Sequence, residues 1–226
     1  MRALLAASLL GVCLMHAGCT TAGRQRPAFP WQRSSLDSLA KQAESADPDL
    51  RREAALELGR RRLKGQQAQR VTELLTALLR SDGAPLVRSA AAVSLGRLGG
   101  EANAAALSEG LTDSSAMVRA DVYRGLGTTG APTAVAPLAR ALAEEADVDA
   151  RCAAARALGD FTDAEARQAL LEALEADRRA VRTAAHQALL RSTGAKGVPP
   201  DRAAWEKWLA EQKEGSGAKR RRFFFW

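Results

Sequence analysis

Aromatic residues, histidine and cysteine are scarce in this sequence. Aromatic residues make up 4% of the 226 positions, and there are two histidines and three cysteines. Runs of valine, isoleucine, threonine, tyrosine and phenylalanine, which favour strands, are also missing, while alanine and leucine dominate. The composition therefore predicts an all-α protein and disfavours a sheet.

This scarcity also limits the chemistry that the chain can perform. No set of cysteines and histidines has metal-binding spacing, and no glycine loop with the spacing of a phosphate-binding loop occurs. We interpret His186 as a variation within a repeated helix and Cys152 as a small packed side chain. Asp147 and Asp149 lie near Glu144 and Glu145, but without calcium-loop spacing. We expect no catalytic residue, no metal and no cofactor, and hence no enzyme.

The amino terminus has the form of a secretory signal. Met1 and Arg2 precede an apolar run over residues 3–14. A cationic start followed by about a dozen apolar residues is typical of a signal peptide, and the run is shorter than the roughly 20 residues that a membrane-spanning helix needs. We predict a signal peptide over residues 1–18, with a buried first helix as the alternative.

The segment Met15-His16-Ala17-Gly18-Cys19 resembles the lipobox of bacterial lipoproteins, in which a small residue precedes a cysteine. The resemblance implies that Cys19 begins the mature chain and carries a lipid anchor, followed by a linker over residues 19–34. Several acyl chains on one residue anchor a protein durably. Thr20 is not the aspartate that marks inner-membrane retention in that family, so the periplasmic face of the outer membrane is the expected location. Ordinary cleavage after Ala22 is the alternative.

Positive charge is concentrated near the two ends of the chain. The formal charge is +7, and removing the five cations Arg2, Lys219, Arg220, Arg221 and Arg222 leaves +2. Residues 51–64 are mainly basic and residues 141–177 mainly acidic. We therefore do not expect nucleic acid as a partner, although the basic balance keeps it as a third hypothesis. The polarised body is interpreted either as an oriented binding surface or as an unevenly charged solvated one.

Five segments of the chain repeat one pattern, which is aligned on an arginine. An apolar residue precedes each arginine, and a leucine follows seven residues after it. A glycine follows eight residues after the arginine in the first four segments, and Leu190 takes that place in the fifth. The arginines are 37, 31, 32 and 31 residues apart, a period typical of solenoids. They are Arg51, Arg88, Arg119, Arg151 and Arg182.

Each spacing predicts a role in a helix. The residues one before, three after and seven after the arginine share one helical face, as Val87, Ala91 and Leu95 do. The glycine suits a left-handed position at a helix end. Partner helices are predicted over 36–45, 67–80, 101–111, 133–144 and 163–175. Each unit is therefore a helix-turn-helix.

The motif Val-Arg-x-x-Ala-Ala-x-Ala-Leu-Gly is nearly complete over residues 87–96 and resembles the HEAT-like repeats first named from phycobilisome lyases. The resemblance covers residues 36–194 and implies an α-solenoid of about five repeats over residues 35–194. It also implies that the repeat arginines form a half-buried structural ladder that meets aspartates of neighbouring turns. The His-Glu pairs of HEAT-type deoxyhypusine hydroxylases are absent from this sequence.

The carboxyl terminus predicts a cap and a tail. Trp205 and Trp208 lie in a helix predicted to end near Lys213, and we expect residues 195–213 to cover the last repeat, with a binding hot spot as the alternative. Residues 214–226 are predicted to be a tail that begins with a flexible hinge over 214–217. Three interpretations remain open for it: membrane docking, recognition by a partner, or no function. Its basic-aromatic end is Lys219, Arg220, Arg221, Arg222, Phe223, Phe224, Phe225 and Trp226.

Together these features favour one function. The first hypothesis is a membrane-tethered scaffold of the bacterial cell envelope that binds an unidentified protein through the concave solenoid surface, and we expect it to be a monomer. The alternative is a lyase-like enzyme or cofactor-attachment accessory factor, which only the resemblance suggests.

Overall fold

A computed structural model describes the backbone of residues 34–222 and the side chains of residues 34–212. This part of the chain contains helices, turns and no strands. The all-α prediction is therefore confirmed. The eleven α-helices within these bounds are α1 (Leu36–Ala43), α2 (Pro48–Leu58), α3 (Gly65–Ser81), α4 (Pro85–Leu98), α5 (Glu101–Ser108), α6 (Ala116–Thr129), α7 (Val135–Glu144), α8 (Val148–Leu158), α9 (Ala164–Glu172), α10 (Arg179–Thr193) and α11 (Arg202–Arg222).

Ten of these helices pair into five repeats, as predicted. The even-numbered helices α2 to α10 carry the repeat arginines and are called the arginine helices; the odd-numbered α1 to α9 are their partner helices. Each arginine helix packs on the arginine helix of the next repeat. Partner helices flank this stack, with direct contacts between α3 and α5 and between α7 and α9. Short 3-10 turns precede α7 and follow α9. The solenoid prediction is confirmed.

The core follows the periodicity that the sequence predicts. The leucine seven residues after each arginine is at most 1% exposed, and the residue three after it is fully buried. Burying a leucine side chain stabilises a fold by roughly 1.5–3 kcal/mol, so five of them at one level of the stack make a large contribution. These residues are Leu58, Leu95, Leu126, Leu158 and Leu189, with Ala54, Ala91, Val122, Ala154 and Ala185.

The repeat glycines do not have the predicted left-handed conformation. Gly59 and Gly159 have φ of −67°, and Gly96 and Gly127 lie inside α4 and α6. Left-handed glycines do end two arginine helices, but they are Gly130 and Gly194, with φ of 66° and 70°. The prediction was wrong because it read the glycine only as a helix terminator.

Close approach between successive arginine helices explains the repeat glycines instead. A Cβ atom built on Gly96 would lie 2.6 Å from the Cα of Gly125 in the next repeat. In the other three repeats it would lie 2.5–2.9 Å from a Cβ of the next helix. Each glycine meets the residue six after the next arginine. These contacts are Gly59 with Ser94, Gly96 with Gly125, Gly127 with Ala157, and Gly159 with Ala188.

The last repeat is covered by α11, which packs on α9. Trp205 is completely buried, and its ring meets the rings of Trp208 and His186 edge to face, with centroids 5.8 and 5.9 Å apart. Its indole Nε1–H donates to Nδ1 of His186 at 3.2 Å. Buried tryptophans with a satisfied N–H stabilise such a junction. The structure thus places Trp205 in a cap.

Helix α11 continues to Arg222, past the predicted end near Lys213. The backbone over 214–217 is helical, so the prediction of a hinge at Gly215 and Gly217 is not met. The glycines lower helix propensity by about 1 kcal/mol each, but the flanking residues Lys213, Glu214, Ala218 and Lys219 favour a helix. None of the helices in the described part of the chain is long and apolar enough to cross a membrane.

The contact between His186 and Trp205 in the cap should make the stability of the protein depend on pH. Burial lowers the pKa of His186 below 6.5, and Nδ1 must be unprotonated to accept from Trp205. A lowered pKa in the folded state means that this contribution is complete above pH 6.5 and is lost as the pH falls further. We expect about 1 kcal/mol of stability to be lost between pH 7 and 5, with a red shift of tryptophan emission. His186→Asn keeps an acceptor and should remove this pH dependence; a variant with an unchanged profile would contradict the assignment.

Candidate functional site

Three of the repeat arginines each bind an equivalent set of acceptors: the two oxygens of one carboxylate and a backbone carbonyl. In Arg88, Nε and Nη2 donate to the two carboxylate oxygens of Asp113 at 2.6 and 2.8 Å, and Nη1 donates to the backbone carbonyl of Asp82 at 2.8 Å. Such two-pronged pairing is among the stronger charged hydrogen bonds. Arg51 binds Asp82, and Arg119 binds Glu145, in the same way.

The acidic residues connect one repeat to the next. Each lies six residues before the arginine of its own repeat and accepts from the arginine of the preceding repeat. Asp82 and Asp113 use their backbone carbonyls to accept from Arg88 and Arg119, so the chain of bonds is continuous. Each carboxylate also accepts a backbone N–H two residues later. The arginines therefore hold neighbouring repeats in register.

The ladder weakens toward the carboxyl terminus. Arg151 reaches Asp177 through one nitrogen at 3.2 Å, and the Asp177 side chain is 68% exposed. Its Nε donates instead to the carbonyl of Leu142. Arg182 donates to the backbone carbonyls of Ala176 and Asp177. In the described structure, all five repeat arginines therefore bind groups of the solenoid itself.

A tyrosine joins the ladder beside Arg119 in the third repeat. Tyr123 Oη donates to Glu145 Oε2 at 2.8 Å, beside the Arg119 fork. The hydrogen bond from Arg119 lowers the pKa of Glu145 from 4.5 to about 2, against the effect of burial. Burial, and the hydrogen bond to Glu145, raise the pKa of Tyr123 to about 12. Tyr123 takes a position that is alanine in three of the other repeats and histidine in the fifth. A groove of about 710 Å³ lies next to it and is also lined by Pro137 and Arg140.

Sequence reasoning did not identify Glu145 as a ladder residue. In the sequence Glu145 stands among acids that lack calcium-loop spacing, yet it lies six residues before Arg151, as Asp82 and Asp113 lie before their arginines. That shared register was the available signal. The structure groups no three histidine, cysteine, aspartate or glutamate side chains as a metal site within its described residues.

Other predicted sites are covered only in part. Cys19, the predicted lipidation site, lies outside the described residues, as do Phe223, Phe224, Phe225 and Trp226. Residues 219–222 belong to the helical backbone of α11. Cys152 is buried, which raises the pKa of its thiol, and His186 is engaged by Trp205.

One face of the arginine-helix stack remains free of the ladder. Its most exposed large apolar side chains, Leu86 and Met117, are 58% and 44% exposed and begin the neighbouring helices α4 and α6. Exposed arginines lie toward the carboxyl ends of the same helices. This face, called the arginine-row face, is defined by Leu86, Met117, Arg60, Arg97, Arg124, Arg156 and Arg191. It is the candidate interaction surface.

Comparison with known proteins gives the family. No curated protein matches the chain in sequence. A solved complex of CpcE and CpcF of phycocyanin lyase from Nostoc is 24% identical, with a TM-score of 0.58, over 76% of this chain and 70% of that one. YibA of Escherichia coli is 17% identical, with a TM-score of 0.53, over 68% and 58%. These likenesses show the fold alone.

A sequence signature described as HEAT repeats matches residues 36–121 and 104–190. The two matches together span most of the chain and coincide with the five repeats of the structure. The chain belongs to the HEAT-repeat family.

Proposed function

We propose that the chain is a non-catalytic scaffold that binds a protein partner through the arginine-row face. The observation that carries this proposal is the division of the arginines into two sets. The guanidinium groups of the repeat arginines are hydrogen-bonded within the ladder. The arginine-row face, in contrast, presents exposed cations and two large exposed apolar side chains. Apolar anchors flanked by arginines are typical of protein interfaces.

Two further observations support a binding role rather than catalysis. The described thiol, Cys152, has a raised pKa and is therefore a weak nucleophile. The imidazole of His186 accepts a hydrogen bond from a buried tryptophan and supports the cap. Both groups are explained by packing.

The location of the scaffold is part of the same proposal. The apolar run over residues 3–14 and the small residues before Cys19 support export and lipid attachment in the bacterial cell envelope, at the periplasmic face of the outer membrane. A tethered solenoid would present its repeats to periplasmic or cell-wall-associated proteins. Tethering also raises the effective concentration of the scaffold at that surface.

In-cell cross-linking tests the scaffold and its tether together. A photo-reactive phenylalanine analogue at Met117 or Leu86, on the arginine-row face, should capture one abundant envelope protein that mass spectrometry identifies. The same analogue at Ala136, exposed on the partner helix α7, is the matched control and should capture it far less. Cys19→Ser should move the chain out of the membrane fraction and reduce the yield of the cross-link.

Each result bears on a different part of the proposal. Equal capture from Met117 and Ala136, or no protein capture at all, would contradict binding through this face. A Cys19→Ser chain that stays with the outer membrane would contradict the lipid anchor and leave the binding face unaffected.

A further inference from the structure

The exposed arginines on the arginine-row face form an ordered row. Gly96 and Gly125 touch across α4 and α6, so Arg97, which follows the first, and Arg124, which precedes the second, lie side by side. Because the two helices run parallel, both arginines project to the same side. Arg156 has the same position beside Ala157, the residue that Gly127 touches.

The row extends to both ends of the stack. Arg60 follows Gly59, which touches Ser94 of α4. At the other end, Arg191 of α10 pairs with Asp160 at 3.1 Å and donates to the carbonyl of Arg156. Five successive repeats therefore each contribute one exposed arginine to a single line that runs along the solenoid.

The arginines of the row make few ion pairs with the rest of the solenoid. Arg97 and Arg156 have no ion pair with any residue in the described part of the chain. The side chains of Arg60, Arg124 and Arg191 are 64%, 56% and 51% exposed. Arg124 pairs with Asp121, whose side chain is 15% exposed, while the pairs of Arg60 with Glu57 and of Arg191 with Asp160 lie on the surface. Surface pairs of this kind contribute little to stability, so an incoming carboxylate can replace them.

The spacing of the row selects the conformation of its occupant. Helices in such close contact have axes about 8–10 Å apart, so Arg97, Arg124 and Arg156, which lie at similar heights in the stack, are separated by about that distance. A polyproline II segment rises about 3.1 Å per residue with three residues per turn, so every third side chain lies on one face at about 9 Å intervals. Carboxylates at every third position would each meet one arginine.

We infer that the arginine row binds an extended acidic segment of a partner protein, with aspartate or glutamate at about every third residue. This inference rests on the proposed function and specifies the chemistry of its partner. Leu86 and Met117 lie on the same face, about 16 and 10 Å along their helices from the row, and would contact apolar side chains beside the acidic segment. Exposed apolar side chains of that size suit a protein better than the phosphate backbone of a nucleic acid.

The test uses the purified full-length chain and a labelled peptide in which Glu-Pro-Pro is repeated four times. Binding is measured by fluorescence anisotropy at low and physiological salt. The triple substitution R97Q/R124Q/R156Q should weaken binding at least about tenfold, since each lost surface pair contributes roughly 0.5 kcal/mol or more. The matched control is R70Q/R80Q/R140Q, which removes the same charge from exposed positions of the partner helices α3 and α7 and should change binding less than about twofold.

Several outcomes would overturn the inference. One is equal binding by the two triple variants, and another is no binding by the unmodified chain. A peptide of the same composition with its four glutamates contiguous is expected to bind more weakly; equal binding would show attraction to net charge alone. Duplex DNA bound as tightly as the peptide at physiological salt would indicate a nucleic-acid surface. Circular dichroism should show unchanged folding in both variants, because the substituted arginines are exposed.

Failure of this inference can be separated from failure of the proposed function. If the peptide does not bind but Met117 still captures an envelope protein in cells, the scaffold stands and the acidic partner is wrong. If Met117 captures nothing, the proposed binding face is wrong.

Discussion

Gly96→Leu is expected to lower the free energy of unfolding by about 4 kcal/mol or more, and Gly96→Ala by about 2 kcal/mol. A Cβ at this position would lie 2.6 Å from the Cα and 3.1 Å from the carbonyl oxygen of Gly125. Both atoms are backbone, so the contact can be relieved only if α4 and α6 move apart. In a solenoid each repeat is stabilised by its neighbours, so that separation weakens the interface between the second and third repeats.

The alanine substitution separates two opposing effects. Alanine is favoured over glycine inside a helix by about 1 kcal/mol, so helix propensity alone would make Gly96→Ala stabilising. A net loss of stability therefore measures the steric cost of the helix contact. Urea denaturation followed by circular dichroism at constant protein concentration gives the comparison.

Gly83 provides the matched control. It lies in the exposed turn between α3 and α4, and a Cβ there would meet no atom within 4 Å. Gly83→Leu should change the free energy of unfolding by less than about 0.5 kcal/mol. A Gly96→Leu chain as stable as Gly83→Leu would show that close approach at Gly96 is not required.

The helices and their order could be predicted from the sequence because they depend on periodicity. Alanine and leucine at helical spacing, repeated about every 31 residues, identify the buried face and the length of the unit. The predicted partner helices differ from α1, α3, α5, α7 and α9 by a few residues at their ends. Helix ends depend on local capping and 3-10 turns, as before α7 and after α9, which periodicity does not fix.

The role of the repeat glycine could not be read from one repeat alone. In the sequence it follows a helical pattern and suits a terminator, while the structure assigns it to contact with the next repeat. The two exceptions fit that assignment. Leu190 takes the glycine position in the last repeat and Glu57 takes the facing position in the first repeat. Within residues 34–222, no arginine helix follows the last repeat or precedes the first. Small residues are needed only between two arginine helices.

The sequence predicts that the repeat arginines bind acids of neighbouring turns, but it does not show which acid each arginine binds. Its acids lie 25–31 residues from the arginines that they bind, and which acid meets which arginine depends on the offset between stacked helices. The acid that Arg119 binds is a glutamate rather than an aspartate. Tyr123, at a position that is alanine in three other repeats and histidine in the fifth, joins the cluster. A local pattern cannot show a three-residue contact of this kind.

Arg119→Met is expected to lower the free energy of unfolding at pH 7 by about 3 kcal/mol. The Glu145 side chain is 4% exposed, and Arg119 supplies two of its hydrogen bonds at 2.8 Å. Methionine keeps much of the packing volume but leaves the carboxylate with only Tyr123 and a backbone N–H. An unpaired charge in a buried position is costly, because it cannot regain the water that it lost.

Two further substitutions separate the lost ion pair from lost packing. Arg140→Met removes a nearby arginine whose pair with Glu144 is on the surface, where the side chains are 78% and 63% exposed, and should cost less than about 0.5 kcal/mol. Adding Glu145→Gln to Arg119→Met removes the orphaned charge and should recover at least about half of the loss. No recovery in the double variant would indicate that packing, rather than charge, is the origin of the effect.

The pH dependence of the same variant gives an independent readout. In the unmodified chain the pKa of Glu145 is about 2 against 4.5 unfolded, so its contribution is complete above pH 4.5 and is lost as the pH falls toward 2. Without Arg119, burial raises the pKa of Glu145, and protonation then relieves the buried charge. The deficit of Arg119→Met should therefore be greatest at pH 7 and should shrink steadily toward pH 3. A deficit that stays constant over this range would contradict an electrostatic role for the Arg119–Glu145 pair and leave the ladder as a packing motif.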